Sequence, residues 1–125
     1  MIFHHIGVEC KIIEQTIFTI KKIFQIKEIS NMVYDEQQKA NLCMIKTKNN
    51  INIELISGET VENLLKKGIN YYHTCYVVSN IEEKIKELQN INCVLISNTK
   101  EAILFGNKKV AFLYTPFGMI ELLEE

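Results

Sequence analysis

Two short segments recur at almost the same spacing, and this repetition constrains the fold more than any other feature of the chain. Residues 5–8 have a counterpart at 73–76, and residues 53–56 have a counterpart at 120–123. The step from the histidine of the first segment to the glutamate of the second is 49 residues in one half and 48 in the other. Two independent repeats at almost the same offset predict a chain built from two similar modules.

The composition is that of one ordinary soluble domain. Of the 125 residues, 47% are apolar and 23% are charged, which is enough apolar material for a core. Because the net charge is only -1 and no dense basic tract occurs, we expect neither nucleic acid nor membranes as partners. No apolar run approaches the roughly 20 residues of a membrane-spanning helix. The N-terminus lacks a secretion signal, so we expect a cytoplasmic protein.

All 14 basic residues are lysine, and arginine is absent. The chain therefore has no side chain that can clamp a carboxylate or phosphate through a planar, bidentate contact. Any anionic group of a ligand must be met by lysine, by backbone amides or by a metal ion.

The four cysteines lie far apart in or beside apolar segments, with no C-x-x-C pair. This spacing is typical of reduced thiols in the core of a protein from a reducing compartment. A zinc-thiolate or redox centre is the alternative.

The periodicity of the first half predicts the order β-α-β-β-β. Alternation favours a first strand at 3–8, and apolar residues at three- and four-residue steps favour a helix over 12–24. Three short strands are expected near 27–31, 41–46 and 51–56.

The second half repeats this order. The pattern predicts a strand at 72–78, a helix over 81–88 capped by Ser79 or Asn80, and strands at 93–97, 110–114 and 119–123. A longer loop at 99–109 and a connecting helix over 59–67, ended by Gly68, complete the chain.

We therefore predict an α+β fold with two tandem βαβββ modules in a single domain, residues 1–125. Module 1 spans about 1–57, a connecting segment 58–70, and module 2 about 71–125. A module of about 60 residues is marginal alone, so the two should pack together. We expect a curved eight-stranded mixed sheet around a cleft, with the helices on the outer face.

The repeated segments carry two histidines and two glutamates, His5 and Glu54 in module 1 and His73 and Glu121 in module 2. Each glutamate is flanked by apolar residues in a strand, where an unpaired buried charge would cost several kcal/mol. A divalent metal bound by imidazole and carboxylate would compensate it, and such ligands suit zinc, iron, cobalt, nickel or manganese. The alternative is that the histidines merely begin strands and the glutamates face solvent. Alternation places His4 on the opposite face from His5, so it is left out of the site.

These segments, with residues 110–114 and the closing strand 119–123, resemble the vicinal oxygen chelate superfamily, which includes glyoxalase I, methylmalonyl-CoA epimerase, extradiol dioxygenases and bleomycin-binding proteins. The resemblance covers essentially the whole chain and is greatest to the methylmalonyl-CoA epimerase-like branch. It implies that His5, Glu54, His73 and Glu121 are ligands of one divalent metal (Zn, Co, Ni, Mn or Fe). It also implies a homodimer.

For an enzyme of this kind the resemblance implies an isomerase, epimerase or lyase that removes a proton α to a carbonyl of a small acyl substrate. Glu54 or Glu121 would be the catalytic base. The strand at 41–45 carries no acid that could act as a second base, which weighs against a two-base epimerisation.

A glyoxalase I-like lactoylglutathione lyase is the second enzymatic reading, but glutathione binding in that branch depends on arginine. Extradiol oxygen chemistry is a third reading, although those enzymes are longer. A binding or resistance protein without turnover is the alternative of another class.

Three aromatic residues are candidates for substrate binding. Tyr114 and Phe112 lie in the strand beside Glu121, and Phe105 lies in the loop before it. Residues 101–106 of that loop could form an apolar lid hinged at Gly106, or an ordinary loop that covers the core.

Overall fold

The structure is a computed structural model that describes residues 1–125, and the chain divides into two compact units. The N-terminal unit comprises residues 5–72, and the C-terminal unit comprises residues 73–125 together with 1–4. Both units combine helices and mixed β-sheet, as the α+β prediction requires. The elements in chain order are β1 (Ile2–Glu9), α1 (Ile13–Ile23), β2 (Ile26–Ile29), β3 (Val33–Asp35), β4 (Ala40–Thr47), β5 (Asn52–Gly58), α2 (Glu59–Lys66), β6 (Tyr71–Val78), α3 (Ile81–Gln89), β7 (Val94–Leu95), β8 (Lys100–Ala102), a 3₁₀ turn (Ile103–Phe105), β9 (Lys108–Thr115) and β10 (Gly118–Glu124).

The sheet of the N-terminal unit has the strand order β2-β4-β5-β1. β1 and β5 are parallel, whereas β4 is antiparallel to β5 and to β2. Helix α1 covers one face of this sheet, as its amphipathic pattern predicts. The core between helix and sheet consists of Cys10, Ile13, Ile20, Cys43, Ile45, Ile53 and Leu55.

The sheet of the C-terminal unit has the equivalent order β6-β10-β9-β7, with β6 parallel to β10 and β9 antiparallel to both of its neighbours. Helix α3 begins where Asn80 accepts a hydrogen bond from the Glu83 backbone at 3.1 Å, the cap predicted from the sequence. The core beneath it consists of Val78, Ile81, Ile85, Leu88, Ala111, Leu113, Ile120 and Leu122.

Each unit contains one strand more than predicted, because its outermost strand position is divided into two pieces. β2 pairs with the second half of β4, and β3 pairs with residues 40–42 at the start of β4. In the same way β7 and β8 pair with the two ends of β9. The predicted four strand positions per module are therefore present, but β3 and β8 have three residues each, too few for alternation to reveal them.

None of the three helices has the length and hydropathy of a membrane span.

The backbone conformation of residue 58, at the end of β5 and directly before α2, requires glycine. Its φ is +129°, and a Cβ atom there would lie 2.7 Å from the Lys39 carbonyl oxygen. Gly58→Ala should therefore lower the free energy of unfolding by about 2 kcal/mol or more in urea titrations. Gly118→Ala is the matched control, because its φ is +119° but no atom lies within 4 Å of the added methyl group. Equal losses in the two variants would show that the close approach to Lys39 costs nothing.

Candidate functional site

The first predicted pair, His5 and Glu54, lies on the sheet face opposite α1. In the parallel register of β1 and β5, Gly7 is the partner of Glu54, so His5 and Glu54 point to the same side of the sheet. The neighbours Ile53 and Leu55 point to the other side and pack under α1. His5 Nε2 lies 3.7 Å from Glu54 Oε1, and both side chains are buried.

The second pair, His73 and Glu121, occupies the equivalent position in the C-terminal unit. Here Cys75 is the partner of Glu121, so in both units the glutamate pairs with the residue two positions after the histidine. His73 Nε2 lies 2.8 Å from Glu121 Oε2, and both side chains are buried on the face opposite α3. The repetition seen in the sequence is therefore a repetition of strand register.

Burial excludes one of the two interpretations of the glutamates. Glu54 is 4% exposed and Glu121 is 3% exposed, so the alternative in which they face solvent is wrong. A buried carboxylate must be compensated by charge or hydrogen bonds, and in each unit an imidazole nitrogen lies beside it. Nitrogen and oxygen donors of this kind fit a divalent transition metal or zinc, so the residues present are suitable ligands.

Of the three predicted substrate-binding residues, the structure places Phe112 against the second pair. Phe112 is opposite Glu121 in the antiparallel ladder of β9 and β10, and it is buried. Its ring meets the His73 imidazole edge to face, with centroids 5.3 Å apart. Phe112 therefore restricts the orientation of the histidine ring. Tyr114 follows on the same face of β9 but is 57% exposed.

Phe105 lies in the 3₁₀ turn after β8 and is half-buried. It packs on Cys75, Ala102, Val110 and Leu123, and its ring meets that of His4 edge to face at 5.6 Å. Gly106 ends the turn with a φ of +65°. These contacts favour the loop that covers the core over the hinged lid.

One buried acid was missed by the sequence analysis. Glu9 lies at the end of β1, on the same face as His5 and Glu54 because it pairs with Ile56 in the register. Its side chain is 0% exposed, and neither carboxylate oxygen has a hydrogen-bond partner. Burial raises the pKa of Glu9 to about 7, so the carboxyl group is partly protonated at neutral pH. The sequence signal that could have revealed it is strand alternation, which places Glu9, four residues after His5, on the same face as His5.

All four cysteines are free thiols, and Cys10, Cys43 and Cys75 are buried. Burial raises the pKa of the Cys10 and Cys43 thiols, which favours the protonated, unreactive form. The prediction of reduced core thiols fits these surroundings better than a thiolate centre.

Comparison with solved structures supports the fold. A hypothetical protein, BH1468, from Bacillus halodurans C-125 has a TM-score of 0.79 at 22% identity, with 98% of this chain and 93% of that chain covered. Methylmalonyl-CoA epimerase from Mycobacterium tuberculosis has a TM-score of 0.81 at 16% identity, with coverages of 98% and 86%. A variant of the Streptomyces coelicolor epimerase in complex with 2-nitronate-propionyl-CoA has a TM-score of 0.76 at 15% identity, with coverages of 98% and 93%. At these identities the similarity concerns the fold.

A search of curated protein sequences finds no significant match. The model of one protein family, in contrast, matches residues 4–112. This range contains His5, Glu54 and His73 and ends before Glu121, whose place rests on the register of β10. Because the match covers most of the chain, the protein belongs to the glyoxalase/bleomycin resistance protein/dioxygenase superfamily, which is the vicinal oxygen chelate family expected from the sequence.

Proposed function

We propose that the protein is a metal-dependent isomerase, epimerase or lyase that removes a proton α to the carbonyl of a small acyl substrate. The observation that carries this proposal is the equivalence of the two buried His–Glu pairs, each with the glutamate two register positions from its histidine. Membership of the superfamily and the structural similarity to methylmalonyl-CoA epimerases support the same class of reaction.

In this proposal His5, Glu54, His73 and Glu121 are the ligands of one divalent ion. When bound, the ion supplies Lewis-acid stabilisation of negative charge on a carbonyl oxygen. The histidines hold neutral nitrogen donors in place, and Phe112 keeps the His73 ring in its orientation. All four side chains are buried, which strengthens electrostatic interactions within the site.

The proton is taken by a carboxylate in this proposal, and Glu54 and Glu121 are the two candidates. The distance from Glu54 Oε1 to its histidine is 3.7 Å, longer than a hydrogen bond, whereas Glu121 Oε2 lies at 2.8 Å from His73. The two carboxylates thus differ in their distance from the neighbouring imidazole, and replacing each in turn identifies the base.

Two other functions, a lactoylglutathione lyase and a binding protein without turnover, are less well supported. A lactoylglutathione lyase would have to bind two glutathione carboxylates without any arginine. The two buried His–Glu pairs also argue against a binding protein without turnover. We also propose a homodimer, on the resemblance to the family alone.

The proposal predicts metal-dependent exchange of the α proton with solvent. The protein, stripped with a chelator and reloaded separately with Zn²⁺, Co²⁺, Ni²⁺, Mn²⁺ and Fe²⁺, is incubated in D₂O with a panel of 2-substituted acyl thioesters. At least one loaded form should incorporate deuterium at C2 roughly a hundredfold faster than the stripped protein, the lower range for positioned acid–base catalysis. Of Glu54→Gln and Glu121→Gln, the variant that lacks the base should lose this exchange while it still folds and retains its metal.

Failure of every loaded form to exchange, together with tight binding of an aromatic or cationic compound, would replace the enzyme with the binding protein. Exchange that is as fast in Glu54→Gln as in the wild type would assign the base to Glu121.

A further inference from the structure

The lysine side chains can be sorted by the sheet face on which they lie. Lys46, in β4, is the partner of Asn52 in β5, and Asn52 precedes Glu54 by two residues. Lys46 and Glu54 therefore point to the same face of the N-terminal sheet. Since Ile6 pairs with Ile53, Asn52 lies at the level of His5. His5, Asn52 and Lys46 thus form one row across three neighbouring strands.

The spacing of this row places Lys46 within reach of a ligand at His5. Strands lie about 4.8 Å apart, so the Lys46 backbone is about 10 Å from the His5 backbone, two strands away. A lysine side chain is long and flexible and can lean along the sheet toward a group held beside the imidazole.

The other lysines in strands are less well placed. Lys109 points to the opposite face from Phe112 and pairs with Glu101. Lys108 shares the face of Phe112 but lies four residues away, about 13 Å along β9. Lys100 lies on β8, beyond β9, at the edge of the C-terminal sheet. Lys27 lies on the edge strand β2, beyond β4, so among the strand lysines Lys46 is the one nearest a His–Glu pair.

The present partner of Lys46 leaves its ammonium group available. Lys46 Nζ lies 3.8 Å from Glu28 Oε2 on the edge strand β2, and both side chains are well exposed. An exposed pair at this distance contributes little to stability, so a ligand carboxylate can compete for the ammonium group. Lys46 is the one cation of β4, and Met44 and Leu42, on the same face of that strand, are uncharged and buried.

We propose that Lys46 binds an anionic group of the acyl substrate, a carboxylate at the end remote from the reacting carbonyl. This inference rests on the proposed function for the position of the carbonyl. It makes Lys46 a specificity-determining residue: acyl groups with a free terminal carboxylate are preferred over uncharged acyl groups of the same size. The contact replaces the bidentate arginine contact that this chain cannot make.

The test compares two probes that differ only in charge, the N-acetylcysteamine thioester of succinate and the same thioester with its terminal carboxylate converted to an amide. Binding of each to the metal-loaded protein is measured by NMR titration, separately from deuterium exchange. The wild type should bind the carboxylate probe about tenfold more tightly than the amide, as expected for a charge-assisted hydrogen bond. Lys46→Met should bind the two equally, and Lys46→Arg should restore the preference.

Lys48→Met is the matched control, because Lys48 is an exposed lysine two residues along the chain, in the turn after β4. It should keep the tenfold preference. A preference that survives in Lys46→Met, or a wild type that binds neither probe, would overturn the role of Lys46. Absence of deuterium exchange in the wild type, with the binding preference intact and dependent on Lys46, would remove the proposed reaction and leave the anion site standing.

Discussion

Replacement of both histidines, His5→Ala with His73→Ala, is expected to abolish stoichiometric metal binding. The wild type, loaded with Zn²⁺ or Co²⁺ and separated from free ion, should retain about one ion per chain in elemental analysis. Loss of two nitrogen ligands should weaken binding by well over a hundredfold, since even a supporting residue beside a ligand contributes 10- to 100-fold. The double variant should therefore emerge without metal.

His4→Ala is the comparison variant, because His4, whose ring packs on Phe105, belongs to a different group of potential ligands, His4, His5 and Cys75. It should retain the ion. Removal of two buried rings could also disturb the core, so His5→Gln with His73→Gln provides a variant of more similar volume, with folding followed by circular dichroism in chelator. Equal metal contents in the wild type and a folded double variant would show that the histidines are not ligands.

The second large effect concerns Glu9 and the dependence of stability on pH. The pKa of Glu9 is raised from 4.5 to about 7 in the folded protein by burial. The unfolded chain therefore loses this proton at lower pH than the folded protein does. Stability is unaffected by Glu9 below about pH 4.5, falls as the pH rises toward 7, and stays reduced above it. A difference of this size corresponds to about 3 kcal/mol at pH 8.

Glu9→Gln keeps the shape of the protonated side chain and removes the ionisation. It should match the wild type near pH 4.5 and exceed its free energy of unfolding by about 3 kcal/mol at pH 8, which raises the Tm by roughly 10 °C for a chain of this size. Unfolding is followed in chelator, so that metal release does not contribute. Glu28→Gln, at an exposed position, should show no such trend. A Glu9→Gln protein less stable than the wild type at pH 8 would mean that the ionised carboxylate has a favourable interaction in the fold.

Much of the candidate site could be predicted because its residues recur at one spacing. In a strand, every second side chain points to the same face. Equivalent positions in two similar modules therefore have the same orientation, so His5 and His73 had to occupy equivalent places once both modules were assigned. The apolar neighbours of Glu54 and Glu121 indicated burial, and both glutamates are buried. The register of β1 with β5 and of β6 with β10 is the same in the two units, as duplication requires.

Other features depended on tertiary context that no local pattern contains. Glu9 is followed by Cys10 and Lys11 at the end of a strand, a place where a glutamate is usually exposed. Phe105 was expected from sequence to line a pocket, and its contacts with the buried Ala102 and Val110 come from the fold of the loop. The strands β3 and β8 exist because β4 and β9 offer them a partner, not because three residues specify a strand.

The divided outer strands also affect how the folded protein meets other copies of itself in a crowded solution. A long, continuous outer strand would present a row of unpaired amides and carbonyls on which another chain could add a strand. β2 has four residues and β7 has two, and the pairing of β2 is interrupted by a bulge between Ile26 and Glu28. Short, irregular segments are poor templates for intermolecular pairing. The divided outer strands therefore protect these margins of the sheets against aggregation.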